Sequence, residues 1–334
     1  MKSKPKLLVI IGPTASGKSD LAVELAKKFN GEIISADSRQ VYRGMDIGTG
    51  KVPRDASRKS QIANSYYYKR VPHHLLDVAS PKRRFTVAQY KKLAQKAIKE
   101  ILAKGKIPII CGGTGFYIQA VTENLEIPEV KPDLKLRARL EKIATKELYK
   151  KLQKLDPRRA GEIDRFNRRR LIRALEIIYK TGKPVLTLVI PAKAGIQKSE
   201  PGFRVTPGMT NTNSFDTLFL GIKKSPQELK TLIAQRLQKR LKQGMIAEVI
   251  KLHRQGVSWQ RLDDFGLEYR WIAKYLQKQI SREAMISRLQ KEIEHFAKRQ
   301  MTWFKKNKQI NWIANKAKAK RIIEKFLKNK GSAI

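Results

Sequence analysis

The chain has 334 residues, enough to bury a full core and, by length, to form two domains. Its 72 Lys and Arg stand against 29 Asp and Glu, a formal charge of +43. So large an excess argues for a polyanionic partner bound in a salt-sensitive way, with a lysine bias of the source proteome as the bland alternative. Nucleic acid fits better than an anionic membrane surface, because no long apolar span is present. One cysteine, Cys111, excludes disulfide frameworks and cysteine-rich zinc sites within the chain. The short apolar N-terminus reads as a first strand rather than a secretion signal, so a cytoplasmic location is expected.

An apolar run, Leu7 to Ile11, leads into Gly12-Pro13-Thr14-Ala15-Ser16-Gly17-Lys18-Ser19 and then a helical pattern with Leu21, Leu25 and Ala26 on one side. This is G-x-x-x-x-G-K-[ST] between a strand and a helix, the context in which that motif is credible. Glycines let backbone N–H groups curl around an anion, and the helix presents its positive end to the same anion. Lys18 adds a point charge and the Ser19 hydroxyl can ligate Mg²⁺. The motif predicts polyphosphate or diphosphate binding without saying which.

A short strand at Ile33 and Ile34 ends in Ala36-Asp37-Ser38. Asp37 at a strand end can face the ligand, either reaching Mg²⁺ through water or acting as a general base; alternatively it caps the next segment. His73 and His74 are adjacent and would face opposite ways along a strand, which is poor metal-ligand spacing. They read as structural. Asp77 has the place of a Walker B carboxylate, but the apolar run before it is short. The spacing predicts an amphipathic helix from about Thr86 to Ala103, then a buried strand (Ile107 to Cys111) and a second glycine loop, Gly112-Gly113-Thr114-Gly115. Cys111 reads as a small core residue.

After Val121 the pattern changes. Residues 133–181 read as Lys- and Arg-rich helices with no strand, and Arg168-Arg169-Arg170 with Arg173 make a dense cationic face. That face is either merely solvated or a contact for a phosphate backbone. Residues 190–214 are rich in Pro and Gly and predict a long, mobile, repeat-like surface loop. A strand resumes at Thr217 to Ile222, followed by helices in which Arg236 and Arg240 share a face. The segment around His295, Phe296, Lys298, Arg299 and Trp303 interleaves aromatics with bases, which suits RNA or an amphipathic helix with an aromatic core side.

The predicted architecture is α/β: a P-loop NTPase-like parallel sheet flanked by helices, with an inserted all-helical domain. The expected division is a discontinuous core (1–121 and 185–313), an inserted helical domain (122–184), the loop at 190–214, and a basic tail (314–334).

Taken in order, GPTASGKS (12–19), SADSRQVYRGMDIGTGK (35–51), HHLLDV (73–78), GGTGFY (112–117), RALE (173–176) with TGKP (181–184), and AKRQMTWF (297–304) closely resemble the tRNA dimethylallyltransferases, also called tRNA isopentenyltransferases. The resemblance runs from about residue 5 to residue 313, apart from the loop. It implies transfer of a dimethylallyl group from dimethylallyl diphosphate to N6 of adenosine 37, in the anticodon stem-loop of tRNAs reading codons that begin with U. By the same resemblance, residues 12–19 hold the isoprenoid diphosphate with Mg²⁺ at Ser19. Asp37 takes the N6 proton, Thr14 lies near the bridging oxygen of the leaving group, and Lys18 and Arg236 stabilise it. It also implies that Asp37, Ser38, Arg39 and Gln40 contact tRNA, that Arg169, Arg170, Leu171, Ile172 and Arg173 do so with Arg137, and that Thr114 meets the flipped-out base. The family's I-G-Y-K-E-like segment is replaced by Phe265-Gly266-Leu267-Glu268-Tyr269-Arg270, where Gly266, Tyr269 and Arg270 are the candidate equivalents. Nothing demands more than a monomer. A P-loop kinase and a non-catalytic RNA-binding protein are the competing classes.

Overall fold

The computed structural model describes residues 4–55, 66–128, 130–185 and 214–329. In chain order the elements are β1 (Lys6–Ile11), α1 (Lys18–Lys28), β2 (Gly31–Ala36), β3 (Tyr66–Tyr68), β4 (Val71–His74), α2 (Val87–Ala103), β5 (Ile107–Gly112) and α3 (Gly115–Thr122). Four helices follow: α4 (Leu134–Leu140), α5 (Thr145–Leu155), α6 (Pro157–Glu162) and α7 (Arg168–Thr181). Then come β6 (Asp216–Ile222), α8 (Pro226–Lys242), α9 (Met245–Arg254), α10 (Trp259–Phe265), α11 (Leu267–Leu276), α12 (Arg282–Phe304), β7 (Ile310–Ile313) and α13 (Lys316–Lys328). Contacts divide the chain into two compact units, Met1–Asn124 with Asn211–Ile334, and Leu125–Thr210.

The first unit is built on one sheet of order β3-β4-β2-β5-β1-β6-β7. All pairings are parallel except β3 with β4, an antiparallel hairpin at the edge. Strand alternation assigns the two faces. Leu7, Val9 and Ile11 join one core with residues of α2, α3, α8, α9, α11 and α12. Leu8 and Ile10 join the other, with α1 and α13. Both faces are covered, which is why the central strands read as unbroken apolar runs. The Thr86 to Ala103 pattern is α2, opened by a capping box between Thr86 and Gln89. The register ends Ile11, Gly112 and Ala36 level with one another. The loops after β1, β5 and β2 therefore leave side by side at the carboxyl edge, where open α/β sheets bind ligands.

The basic stretch from 314 to 329 is not a tail apart from the core. Helix α13 packs Ala319 and Ile323 into the second core, both fully buried. Lys316 and Lys320 pair with Glu24, and Glu324 pairs with Lys28, so its charged face is stitched to α1. Its apolar spacing outweighs its charge: a helix with a buried stripe docks even when the rest of it is basic.

The second unit has its own core, centred on Leu148, Leu152, Leu171 and Leu175. Asn167 caps α7, accepting the Arg170 N–H, and Gly182 in the left-handed region closes it. The 190–214 stretch lies, but for its last residue, outside the described residues.

Candidate active site

The loop from Gly12 to Ser19 is shaped for an anion. Ala15 and Gly17 have positive φ (62° and 83°), so the chain curls before α1 begins. Gly17 at the N-cap offers no side chain to the helix, leaving the first N–H groups of α1 without a capping side chain. The Ser16 hydroxyl is buried and has no hydrogen-bond partner. An oxyanion seated in the loop would satisfy such groups together. Lys18 donates to the Pro13 carbonyl at 3.2 Å and makes no ion pair among the described residues. Burial pulls its ammonium below the ordinary value, against the opposing influence of Cys111. Cys111 itself is a core residue whose thiol burial pushes up to about 12.

The loop after β2 carries Asp37. Its Oδ1 accepts the N–H groups of Arg39 at 2.9 Å and Gln40 at 3.3 Å. The following residues are pinned from below. Glu248 on α9 accepts three consecutive N–H groups, those of Asp46, Ile47 and Gly48, at 2.6–3.0 Å. Lys51 ties the same turn to Tyr42 O, Asp46 and Asp77. Asp77 thus fastens this loop rather than acting as a Walker B carboxylate, and its residue has φ of 58° at a turn. The Gln40 amide is spent internally, on the Thr49 and Gly50 carbonyls.

Four cations lie within electrostatic reach of Asp37. Its charge acts on Lys18, Arg39, Arg236 and Arg240. Arg236 and Arg240 project from one face of α8 to the carbonyls of Gly50 and Gly48. Burial, with Arg240 alongside, lowers Arg236 to about 10. The buried Glu268 on α11 bridges Arg39 and Arg240. Burial opposes its charge, but the two guanidiniums hold the carboxyl below its ordinary value. One carboxylate is thus shared by two of the four cations, while Lys18 and Arg236 make no ion pair among the described residues and feel acidic groups only at longer range.

The loop after β5 joins the other two. Thr114 Oγ1 accepts the Ser38 N–H at 3.0 Å. Gln300 on α12 accepts the Thr14 N–H at 2.8 Å and donates to Gly113 O at 2.9 Å. Gly113 has to lack a side chain here, since a Cβ would stand 2.2 Å from the Gln300 amide nitrogen. Among the described residues there is no cluster of three or more His, Cys, Asp or Glu that could hold a metal ion. His73 is buried and bonded to Val71 O, while His74 meets Glu32.

Sequence similarity agrees with this geometry. The family model described as IPP transferase matches residues 40–307. The chain belongs to this family. It is 40% identical over 311 residues to "tRNA dimethylallyltransferase 2" of Pelobacter propionicus, covering 92% of this chain and 89% of that one. Among solved structures it resembles the full-length tRNA isopentenylpyrophosphate transferase of Bacillus halodurans (33% identity, TM-score 0.64, 97% of this chain and 96% of that one). It also resembles a eukaryotic dimethylallyltransferase acting on tRNA, at 26% identity and TM-score 0.72, covering 98% of this chain and 80% of that one.

Within this IPP transferase, Gly12 to Ser19, Asp37 to Gln40, Thr114 and Arg236 lie in the first unit. Arg137, Arg169, Arg170, Leu171, Ile172 and Arg173 lie in the second. There the expected RNA-facing set splits by chemistry. Arg169 and Arg170 are exposed. Arg137 and Arg173 instead hold the fully buried Glu176, bringing its carboxyl down to about 2 against the opposing effect of burial. Leu171 and Ile172 are buried in the helical core, so their side chains do not face solvent. Sequence reading passed over Glu248, Glu268 and Gln300. Gln300 sat inside a quoted motif, and Glu268 inside the segment that departs from the family pattern. Neither had a signal marking it as buried beside the ligand loops. Among the described residues no helix is long and apolar enough to cross a membrane.

Proposed function

We propose that the chain transfers the dimethylallyl group of dimethylallyl diphosphate to N6 of adenosine 37 in the anticodon stem-loop of tRNAs that read U-initial codons. The observation that carries this is a carboxylate, Asp37, within electrostatic reach of four buried or partly buried cations and beside the glycine-rich loop. The diphosphate binds to the N–H groups of Ala15 and of residues 17–19, to Lys18 and to Arg236, the Ser16 N–H being donated to Pro13 O. Preorganised donors and cations are worth most where the leaving group gathers charge, and these two cations are the ones left unpaired. Ser19 Oγ, with the oxygens of the diphosphate, would hold Mg²⁺, which adds charge neutralisation to the leaving group. The residues fit that role: a hydroxyl in the first turn after the loop, and no protein cage competing with the substrate oxygens.

The acceptor is an exocyclic amine of low basicity. Asp37 takes its proton as nitrogen bonds to the allylic C1 and the C1–O bond breaks, with Thr14 near the bridging oxygen. The N–H groups of Arg39 and Gln40 keep the carboxylate oriented. The base has to leave the loop stack to reach Asp37, and Thr114 is the candidate contact for it. Arg169 and Arg170 provide backbone contacts that position the RNA without reading its sequence. The enzyme acts as a monomer in the cytoplasm. The test is mass spectrometry of nucleosides from tRNA incubated with protein, Mg²⁺ and dimethylallyl diphosphate. An N6-dimethylallyl-adenosine peak, lost in Asp37→Ala with tRNA affinity within a few-fold, is expected. Unchanged turnover in that variant would remove Asp37 as the base, and ATP consumption without prenyl transfer would favour a kinase.

A further inference from the structure

The ladder between β1 and β5 ends at Ile11 and Gly112, and that between β2 and β5 ends at Ala36 and Gly112. Beyond those pairs no sheet holds the three loops in register, although Thr14 sits on one and Asp37 on another. Side chains take over. Gln300, 6% exposed, accepts the Thr14 N–H with Oε1 and donates to Gly113 O with Nε2. The next residue, Thr114, donates its N–H to Ala36 O at 3.0 Å and accepts the Ser38 N–H with its hydroxyl. Ser38 follows Asp37 directly. An unbroken run of hydrogen bonds therefore leads from Thr14 through Gln300, Gly113 and Thr114 to the residue beside Asp37.

We infer that Gln300 is a positioning residue that sets the separation between the leaving-group side of the site, at Thr14, and the acceptor side, at Asp37. The inference rests on the roles given to those two residues above. Only an amide meets the requirement. The position needs one acceptor for an N–H and one donor for a carbonyl, both buried, at the reach of a glutamine. A glutamate keeps the acceptor but sets a second oxygen against Gly113 O. A leucine fills the space and leaves both backbone groups unpaired. The bond also commits the Thr14 N–H to Gln300, so it is not among the loop N–H groups left for the diphosphate. Loss of the link lets the two reacting groups drift, and displacement on the order of 1 Å costs about 10²-fold in rate.

The experiment uses the full chain, tRNA, Mg²⁺ and dimethylallyl diphosphate, with Gln300→Leu, Gln300→Glu, Gly113→Ala, Thr14→Val and the double variant Thr14→Val/Gln300→Leu. Gln300→Leu is expected to lower kcat by about 10²-fold while tRNA affinity stays within about twofold. The double variant should be within about threefold of Thr14→Val alone, because a residue acting through Thr14 has nothing left to position. Gln300→Glu and Gly113→Ala, which disturb the same link from its two ends, should repeat the kcat loss, and they carry the test if the leucine variant does not fold. Losses that multiply in the double variant, or kcat values near wild type in Gln300→Glu and Gly113→Ala, would overturn the inference while wild-type transfer stands. A wild type that forms no N6-dimethylallyl-adenosine overturns the proposed function, and this inference with it.

Discussion

Glu268→Gln removes one buried negative charge from a partly buried group of cations while keeping the side chain's shape. In the wild type the carboxylate meets Arg39 on one oxygen and Arg240 on the other, at 2.5 and 3.0 Å. The glutamine retains one acceptor, but Arg39, Arg240, Arg236 and Lys18 then face one another with only Asp37 among them. Removing one partner of a buried ion pair costs about 3–5 kcal/mol, and the retained acceptor places this case near about 3 kcal/mol. At about 2–4 °C per kcal/mol for a chain of this size, the melting temperature should fall by about 6–12 °C. The assay is thermal unfolding with and without inorganic pyrophosphate and Mg²⁺. An anion that binds the folded cluster stabilises by mass action, and it should recover more of the melting temperature in the variant than it adds to the wild type. A drop under about 2 °C, or equal stabilisation of both proteins by pyrophosphate, would refute the idea that Glu268 holds this cluster together.

Lys18→Ala should lower kcat/KM by about 10²–10³-fold, the usual cost of removing one charge-stabilising donor, with tRNA affinity little changed; steady-state kinetics in both substrates checks it. Arg170→Ala should reduce the slope of log affinity against log salt by about one unit or slightly less, measured by tRNA binding over a salt series. Arg137→Ala should act differently, lowering stability without a comparable change in that slope, because its guanidinium is occupied by Glu176. Glu176→Gln should destabilise the helical unit by about 3 kcal/mol near neutral pH, from a carboxyl lowered from 4.5 to about 2. A group with a depressed folded-state value stabilises above the unfolded value and loses that contribution as pH falls. The difference between wild type and variant should therefore shrink as pH drops from 4.5 toward 2, followed by circular dichroism melts.

The glycine-rich loop before α1, the two-faced sheet and the all-helical insertion were legible in the chain itself. Each rests on a local pattern: glycine spacing before Lys18, unbroken apolar strands, and apolar residues at helical spacing. The roles proposed for Thr14, Asp37 and Arg236 rest on resemblance, since a lone Asp after a strand is also a turn residue. What only the tertiary structure decided is which of the charged residues are free. Arg137 and Arg173 look like two more cations in a basic run, yet a buried carboxylate between them makes them supports of the helical core. Glu268 and Glu248 look like ordinary surface acids on helices, yet one sits between two guanidiniums and the other collects three backbone N–H groups. Helix α13 looks like a basic tail, yet Ile323 anchors it. Pairing across more than two hundred residues, as between Arg39 and Glu268 or Thr14 and Gln300, leaves no periodic trace in sequence. It arises because the parallel strands bring three loops to one edge, and α8, α11 and α12 then supply the groups that hold them there.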